Sequence, residues 1–161
     1  MVPVASLQDK EIFHGFNQTT LEKLANHCEI VEFKDGARIL SAVTGERIDR
    51  ILLLVRGKVV VAKKFLENVA AKDISFQHID SQIYGEIGWL LGTVPSAELI
   101  SSGTSRFIAV DGAKLSDLCQ EDPEFGREFY KRMAVLLAKR TMNLTDLSKI
   151  VADKKPAVFE F

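Results

Sequence analysis

The stretch Tyr84-Gly85-Glu86-Ile87-Gly88-Trp89-Leu90-Leu91-Gly92-Thr93-Val94-Pro95-Ser96-Ala97 decides how this chain is read. Glu86 to Leu91 has the composition of a short helix. It is entered through Gly85, a residue type that lets the backbone come close to whatever lies beside it. Runs rich in β-branched residues flank it on both sides. A short helix interrupting a β region is an unusual order for a β-barrel, and that interruption carries information.

Working outward, Ile30-Val31-Glu32-Phe33, Arg38-Ile39-Leu40, Ile51-Leu52-Leu53-Leu54-Val55, Val59-Val60-Val61-Ala62 and Ile74-Ser75-Phe76 read as strands before the helix. Arg106-Phe107-Ile108-Ala109-Val110 reads as a strand after it. Lys34-Asp35-Gly36, Thr44-Gly45-Glu46 and Arg56-Gly57-Lys58 read as turns between them. Strands punctuated by glycine at roughly ten-residue intervals argue for an antiparallel sandwich or barrel.

Helical patterns bracket this region. Thr19-Thr20-Leu21-Glu22 offers a capping box ahead of Leu21, Leu24 and Ala25. Asp111-Gly112 precedes Leu115, Leu118 and Cys119. Asp122-Pro123-Glu124 is a strong helix start, with Asp as N-cap and Pro at the first helical position. The helix it opens is expected to run to about Val151. One face carries Phe125, Phe129 and Leu136. A second line, Tyr130, Met133, Leu137, Arg140, Leu144, Leu147 and Val151, steps by three and four and reads as a heptad seam. The first face is expected to pack on the β domain, leaving the seam for a second copy in a homodimer. The alternative is that both faces bury within one chain. Arg140 weakens the seam unless it reaches an acid across the interface.

The 161 residues, 47% of them hydrophobic, are enough for one packed domain. We place it at residues 1–151, with a β-barrel over 28–110, C-terminal helices over 112–151 and a short tail over 152–161. A net charge of −1, from 21 basic and 22 acidic residues, does not suit a general nucleic-acid binder. Cys28 and Cys119 make neither a disulfide framework nor a zinc pattern and read as small apolar residues. The N-terminus lacks the features of a signal peptide. No apolar run is long enough to span a membrane. A soluble protein of the reducing cytoplasm is expected. His14, His27 and His78 are scattered, and no triad or carboxylate pair is apparent. Neither an enzyme nor a metal site is expected.

The element order and these motifs resemble the cyclic-nucleotide-binding domain family, over roughly residues 12–150. Asp35-Gly36, Gly45 and Asp49, followed by Ile51 to Val59, match the family's glycine-spaced repeat. Tyr84-Gly85-Glu86-Ile87-Gly88 is similar to its F-G-E-L-(A/G) signature, and Pro95, Ser96 and Ala97 fall where the family has P-R-x-A or R-S-A. The resemblance implies an α+β, mainly β fold: an antiparallel jelly-roll barrel with N-terminal helices, a short cassette helix and a long C-terminal helix. It also implies that Gly85, Glu86, Ile87, Gly88, Pro95, Ser96 and Ala97 form a phosphate-binding cassette. Glu86 would accept a ribose hydroxyl, and backbone N–H groups would meet the phosphate. Trp89 and Thr141 are candidate base or lid contacts, against the plainer readings of a core tryptophan and an exposed helix residue.

One family residue is missing. No arginine occurs between Gly57 and Ser105, and Pro95 or Ser96 stands where the cassette arginine belongs. A charge-assisted bond of this kind is worth about 1.5–3 kcal/mol. Its loss costs on the order of 10- to 100-fold in affinity, before any repulsion from Glu98. The expectation is a regulatory or sensor domain whose binding of cAMP, cGMP or another small ligand is weak, altered or lost. The alternative is a ligand-free scaffold that dimerises through its long helix. The helix-turn-helix that activator relatives carry after this helix has no room in the ten residues after Val151. No direct DNA contact is therefore expected, and output is expected to pass through a separate effector protein.

Overall fold

A computed structural model describes residues 2–41, 45–63, 74–76 and 83–153. The chain opens with helix α1 (Val4–Gln8), a 3-10 turn (Glu11–Phe13) and helix α2 (Gln18–Ala25). Strands β1 (Cys28–Phe33), β2 (Arg38–Leu40), β3 (Arg50–Lys63), β4 (Ile74–Phe76) and β5 (Ile83–Tyr84) follow. Helix α3 (Glu86–Leu91) then interrupts the sheet before strand β6 (Glu98–Asp111). Helices α4 (Gly112–Glu121) and α5 (Pro123–Asp153) end it.

The strands form one antiparallel sheet in the order β1-β6-β3-β4, with β2 also on β6 and β5 on β3. Among the described residues this jelly-roll sheet does not close into the expected barrel. Its spine is the long pairing of β3 with β6, which runs from Arg50↔Asp111 to Ala62↔Glu98 with two register shifts. The expected turn at Gly57 is one of those irregularities rather than a break. Gly57 sits at φ 104°, and a Cβ there would lie 2.6 Å from the Thr104 carbonyl oxygen, so only glycine lets the strands cross so closely. Two predicted strands are therefore one.

The capping box also moves. Asn17, not Thr19, caps α2, its side chain accepting from the Thr19 N–H at 2.8 Å. Glu22 instead accepts from the Gln18 amide one turn away. At the other end, the side chain of Asp122 accepts from the Phe125 N–H, as Asp-Pro-Glu requires, and α5 begins at Pro123.

Two apolar clusters hold the molecule. The first joins the N-terminal helices to α4, α5 and one side of the sheet, through Leu7, Phe13, Leu21, Leu24, Ile108, Leu115, Phe129 and Met133. Phe13 stacks on Phe129 with centroids 5.7 Å apart, and Arg132 lies 4.4 Å over the Phe16 ring. The second fills the other side of the sheet with Leu52, Val59, Tyr84, Leu99, Phe107 and Ala109. Tyr84 belongs to the second cluster and Trp89 packs on the first, so the segment from Tyr84 to Trp89 crosses from one core to the other.

Candidate functional site

Gly85 enters α3 in the left-handed conformation, φ 85°. A Cβ there would sit 2.9 Å from the Arg50 carbonyl oxygen, and one at Gly88 would sit 2.6 Å from the Ile48 methyl. Gly85 is thus required by its left-handed backbone and its approach to Arg50, and Gly88 packs tightly on the Ile48 side chain, whatever ligand does or does not bind. Gly92, also left-handed, closes the helix, and the Thr93 N–H bonds back to Gly88 O at 2.9 Å. With α3 only six residues long, the segment is a compact turn of helix pinned at both ends.

Glu86 is 3% exposed, unusually deep for a carboxylate. Its carboxylate has a partner within the chain. The guanidinium of Arg140, on α5, donates to Glu86 Oε1 with one amino group and to the Ile83 carbonyl with the other. Burial pushes the Glu86 carboxyl above its ordinary range, and the Arg140 charge opposes that push. The Tyr84 hydroxyl, held in the apolar cluster against Phe107, is buried without a hydrogen-bond partner among the described residues, and burial raises its pKa too.

The rest of the cassette lines a cavity of about 70 Å³ with Gly85, Glu86, Ile87, Gly88, Pro95, Ser96, Ala97 and Glu98, together with Leu40, Ile48, Val61 and Leu99. Pockets that hold drug-sized ligands run to about 300–1,000 Å³. Pro95 is buried and Ser96 exposed, so neither spacing puts a cation where the arginine would stand. Glu98 does line the cavity, and it pairs with Arg38 at 3.8 Å. A larger groove of about 860 Å³ runs between the N-terminal segment and α5. Its charges are largely matched in place: Arg132 on Glu128 at 3.0 Å and Lys139 on Glu11 at 3.7 Å. It shares only Arg140 with the cassette.

The remaining candidates fall as follows. Trp89 stacks on Tyr130 of α5, rings 6.1 Å apart and 4° from parallel, and its indole N–H donates to Gly112 O. It is committed to the core side. The exposed Thr141 donates its hydroxyl back to Leu137 O in its own helix at 2.9 Å. Of the seam residues, Met133 is buried in the chain's own core, Leu137 packs against that core and Arg140 turns in to Glu86. The side chains of Leu144, Leu147 and Val151 lie outside the described residues, as do the tail from Lys154 and His78. Burial raises the thiol pKa of Cys28 to about 12 and that of Cys119 to about 11, so neither is an activated nucleophile. Among the described residues, no helix is long and apolar enough to cross a membrane.

Sequence reasoning missed Arg140 as a cassette residue. It had singled the residue out as an anomaly in an apolar line, and that anomaly was the available signal.

No family model and no curated protein matches this chain. Solved structures do. A cyclic nucleotide-binding domain from Methylobacillus flagellatus matches over 97% of this chain and 84% of its own, with a TM-score of 0.73 and 20% identity. The regulatory domain of Toxoplasma gondii PKA, solved with cAMP, matches over 87% of this chain and 48% of its own, with a TM-score of 0.65 and 20% identity. The Thermus thermophilus catabolite activator protein matches over 85% and 62%, with a TM-score of 0.64 and 17% identity. The chain therefore spans about half of the first of these regulatory proteins and under two thirds of the activator. With the interrupting helix, the glycine-pinned cassette and the long terminal helix all in place, this chain has the fold of the cyclic-nucleotide-binding domains.

Proposed function

We propose that this chain is a non-catalytic regulatory module of the cyclic-nucleotide-binding type whose cassette holds cyclic phosphates weakly or not at all. One observation carries the reading: the carboxylate that would take a ribose hydroxyl is already bonded to Arg140. The pair is then neutral at the centre of the site, and among the described residues that line the cavity there is no cation for a phosphate, with Glu98 beside it. The solved structures support the regulatory setting, since the Toxoplasma gondii protein is a kinase regulatory domain and the Thermus thermophilus one an activator.

Output then passes to a separate effector, or to a second copy through the part of α5 beyond Arg140, because the part before it is used within the chain. The buried thiols suit a reducing, cytoplasmic setting.

The test is thermal unfolding with and without 1 mM cAMP or cGMP. A ligand with a dissociation constant of about 10 μM would stabilise the fold by about 2.7 kcal/mol at that concentration. The reading expects no shift, or one well below that size, with either nucleotide. A shift of that size would overturn it.

A further inference from the structure

Away from the cassette, the register of β3 slips between Leu54, opposite Phe107, and Arg56, opposite Arg106. Val55 is the extra residue, and a bulge of this kind re-aims the side chains beside it. Val55 is 42% exposed and Arg56 is exposed too. The bulge is held from outside: the Lys10 ammonium donates to the Leu54 carbonyl oxygen at 2.6 Å. Lys10 is buried, and that burial lowers its pKa. The outcome is that Arg56 stands beside Arg106. Glu32 lies on the far side of Arg106, in one row across three strands. It pairs with Arg106 at 3.1 Å and with Arg56 at 3.7 Å. The second distance is too long for a hydrogen bond, so one carboxylate serves two guanidiniums and satisfies one of them. Like charges directly opposite each other weaken a sheet. Ile30, two residues from Glu32 along β1, is 46% exposed. Among the described residues β1 pairs with β6 alone, so the row reaches the edge of the sheet.

We propose that the Arg56–Arg106 row is a docking surface for an acidic, extended segment of a partner protein. A second carboxylate laid on the row gives Arg56 the hydrogen-bonding partner that Glu32 does not, and relieves the repulsion between the two guanidiniums. Arginine is also a residue type that protein interfaces favour. The apolar flanks select the form of the segment. Residues two apart along a strand stand about 7 Å apart on one face. Side chains two apart in an extended partner have the same spacing, so an acid and an apolar residue at that separation meet the arginines and Ile30 together. Nucleic acid is disfavoured by the carboxylate within the row and by the net charge of −1. The surface stands whether or not the cassette takes a nucleotide. It rests on the reading above only in giving a regulatory module a place to meet its effector.

Fluorescence anisotropy tests this without any nucleotide, so its outcome is separate from that of the cAMP and cGMP melts. The probe is a short labelled peptide of alternating glutamate and valine. The comparison probes are the same peptide with serine for valine and a single-stranded DNA of equal charge. The parent protein should bind the valine peptide more tightly than either. Arg56→Thr and Arg106→Thr should each weaken that binding by about fivefold. Arg56→Thr should do so with its melting temperature unchanged or raised, because it removes the like-charge contact and threonine suits a strand. Lys114→Gln, on an exposed pair with Asp117 in α4, is the control and should bind as the parent does. Failure of the parent to bind the valine peptide would overturn the proposal. So would equal binding of the DNA or the serine peptide, or binding that neither arginine variant changes. A lowered melting temperature for Arg56→Thr with unchanged peptide binding would make the row a structural feature instead.

Discussion

Trp89 and Gly112 are fitted to each other: the indole N–H donates to Gly112 O at 2.9 Å, and a Cβ on Gly112 would fall 2.6 Å from Trp89 Cδ1. The same Cβ would lie 2.7 Å from the Asp49 carbonyl oxygen, which accepts the Gly112 N–H at 2.8 Å. At the first position of α4, alanine would ordinarily gain helix propensity of up to about 1 kcal/mol. Here it must move a ring and a backbone together, at about 1–3 kcal/mol. Gly112→Ala should therefore lower stability in chemical denaturation and shift Trp89 emission. Equal or higher stability would show that α3 is not seated against α4 in this way.

The Arg140–Glu86 pair predicts strong non-additivity. Arg140→Met leaves a buried carboxylate unpartnered and should cost about 3–5 kcal/mol, against at most about 1 kcal/mol for a surface pair. Adding Glu86→Leu to that variant removes the stranded charge and should recover part of the loss. Denaturant titrations of the two single variants and the double variant give the coupling, expected above about 1 kcal/mol. Additive losses would mean the two side chains do not depend on each other.

Gly126 decides between two opposed effects. It lies inside α5, where alanine is normally worth about 1 kcal/mol over glycine. A Cβ at this position would run into the Cys119 carbonyl oxygen, with Cys119 Cα 3.1 Å away. Backbone cannot step aside as a side chain can, so α4 and α5 would have to separate, and Gly126→Ala should destabilise by about 1–3 kcal/mol. A raised melting temperature would contradict the close approach of the two helices.

Much of the architecture was legible because local chemistry and global fold agree. Asp122-Pro123 can do little other than start a helix, and Gly85 to Leu91 announces both the entry and the extent of α3. The two-residue strand β5 was not read, since Ile83 and Tyr84 are too short a run to show a period. Gly57 read as a turn because turns and bulges ask the same thing of a residue, a positive φ, and only the partner strand tells them apart. The first half of the seam misled for a related reason. An apolar line with steps of three and four marks a buried face without saying whose surface buries it, and here Met133 and Leu137 pack on their own chain. The cassette was half legible. Counting arginines along the contiguous stretch found none, while the cation that reaches Glu86 stands 54 residues away and is delivered by tertiary structure alone.

Asp122 gives a pH dependence whose sign follows from its bonds. Its carboxylate accepts from the Phe125 N–H at 3.1 Å and from the Thr20 hydroxyl at 2.9 Å, tying α5 to α2. These hydrogen bonds, the Phe125 N–H first, hold its pKa below the ordinary carboxylate value in the folded protein. The unfolded chain therefore takes up the proton more readily. The stabilisation is complete above the ordinary carboxylate range and is lost as pH falls through the depressed pKa. Asp122→Ala removes both bonds and should melt several degrees below the parent at neutral pH. Melting curves of both proteins from pH 7 down to pH 3 should converge as the parent loses its charge. A gap that stayed constant, or widened toward acid, would mean that the carboxylate's charge is not what secures the start of α5.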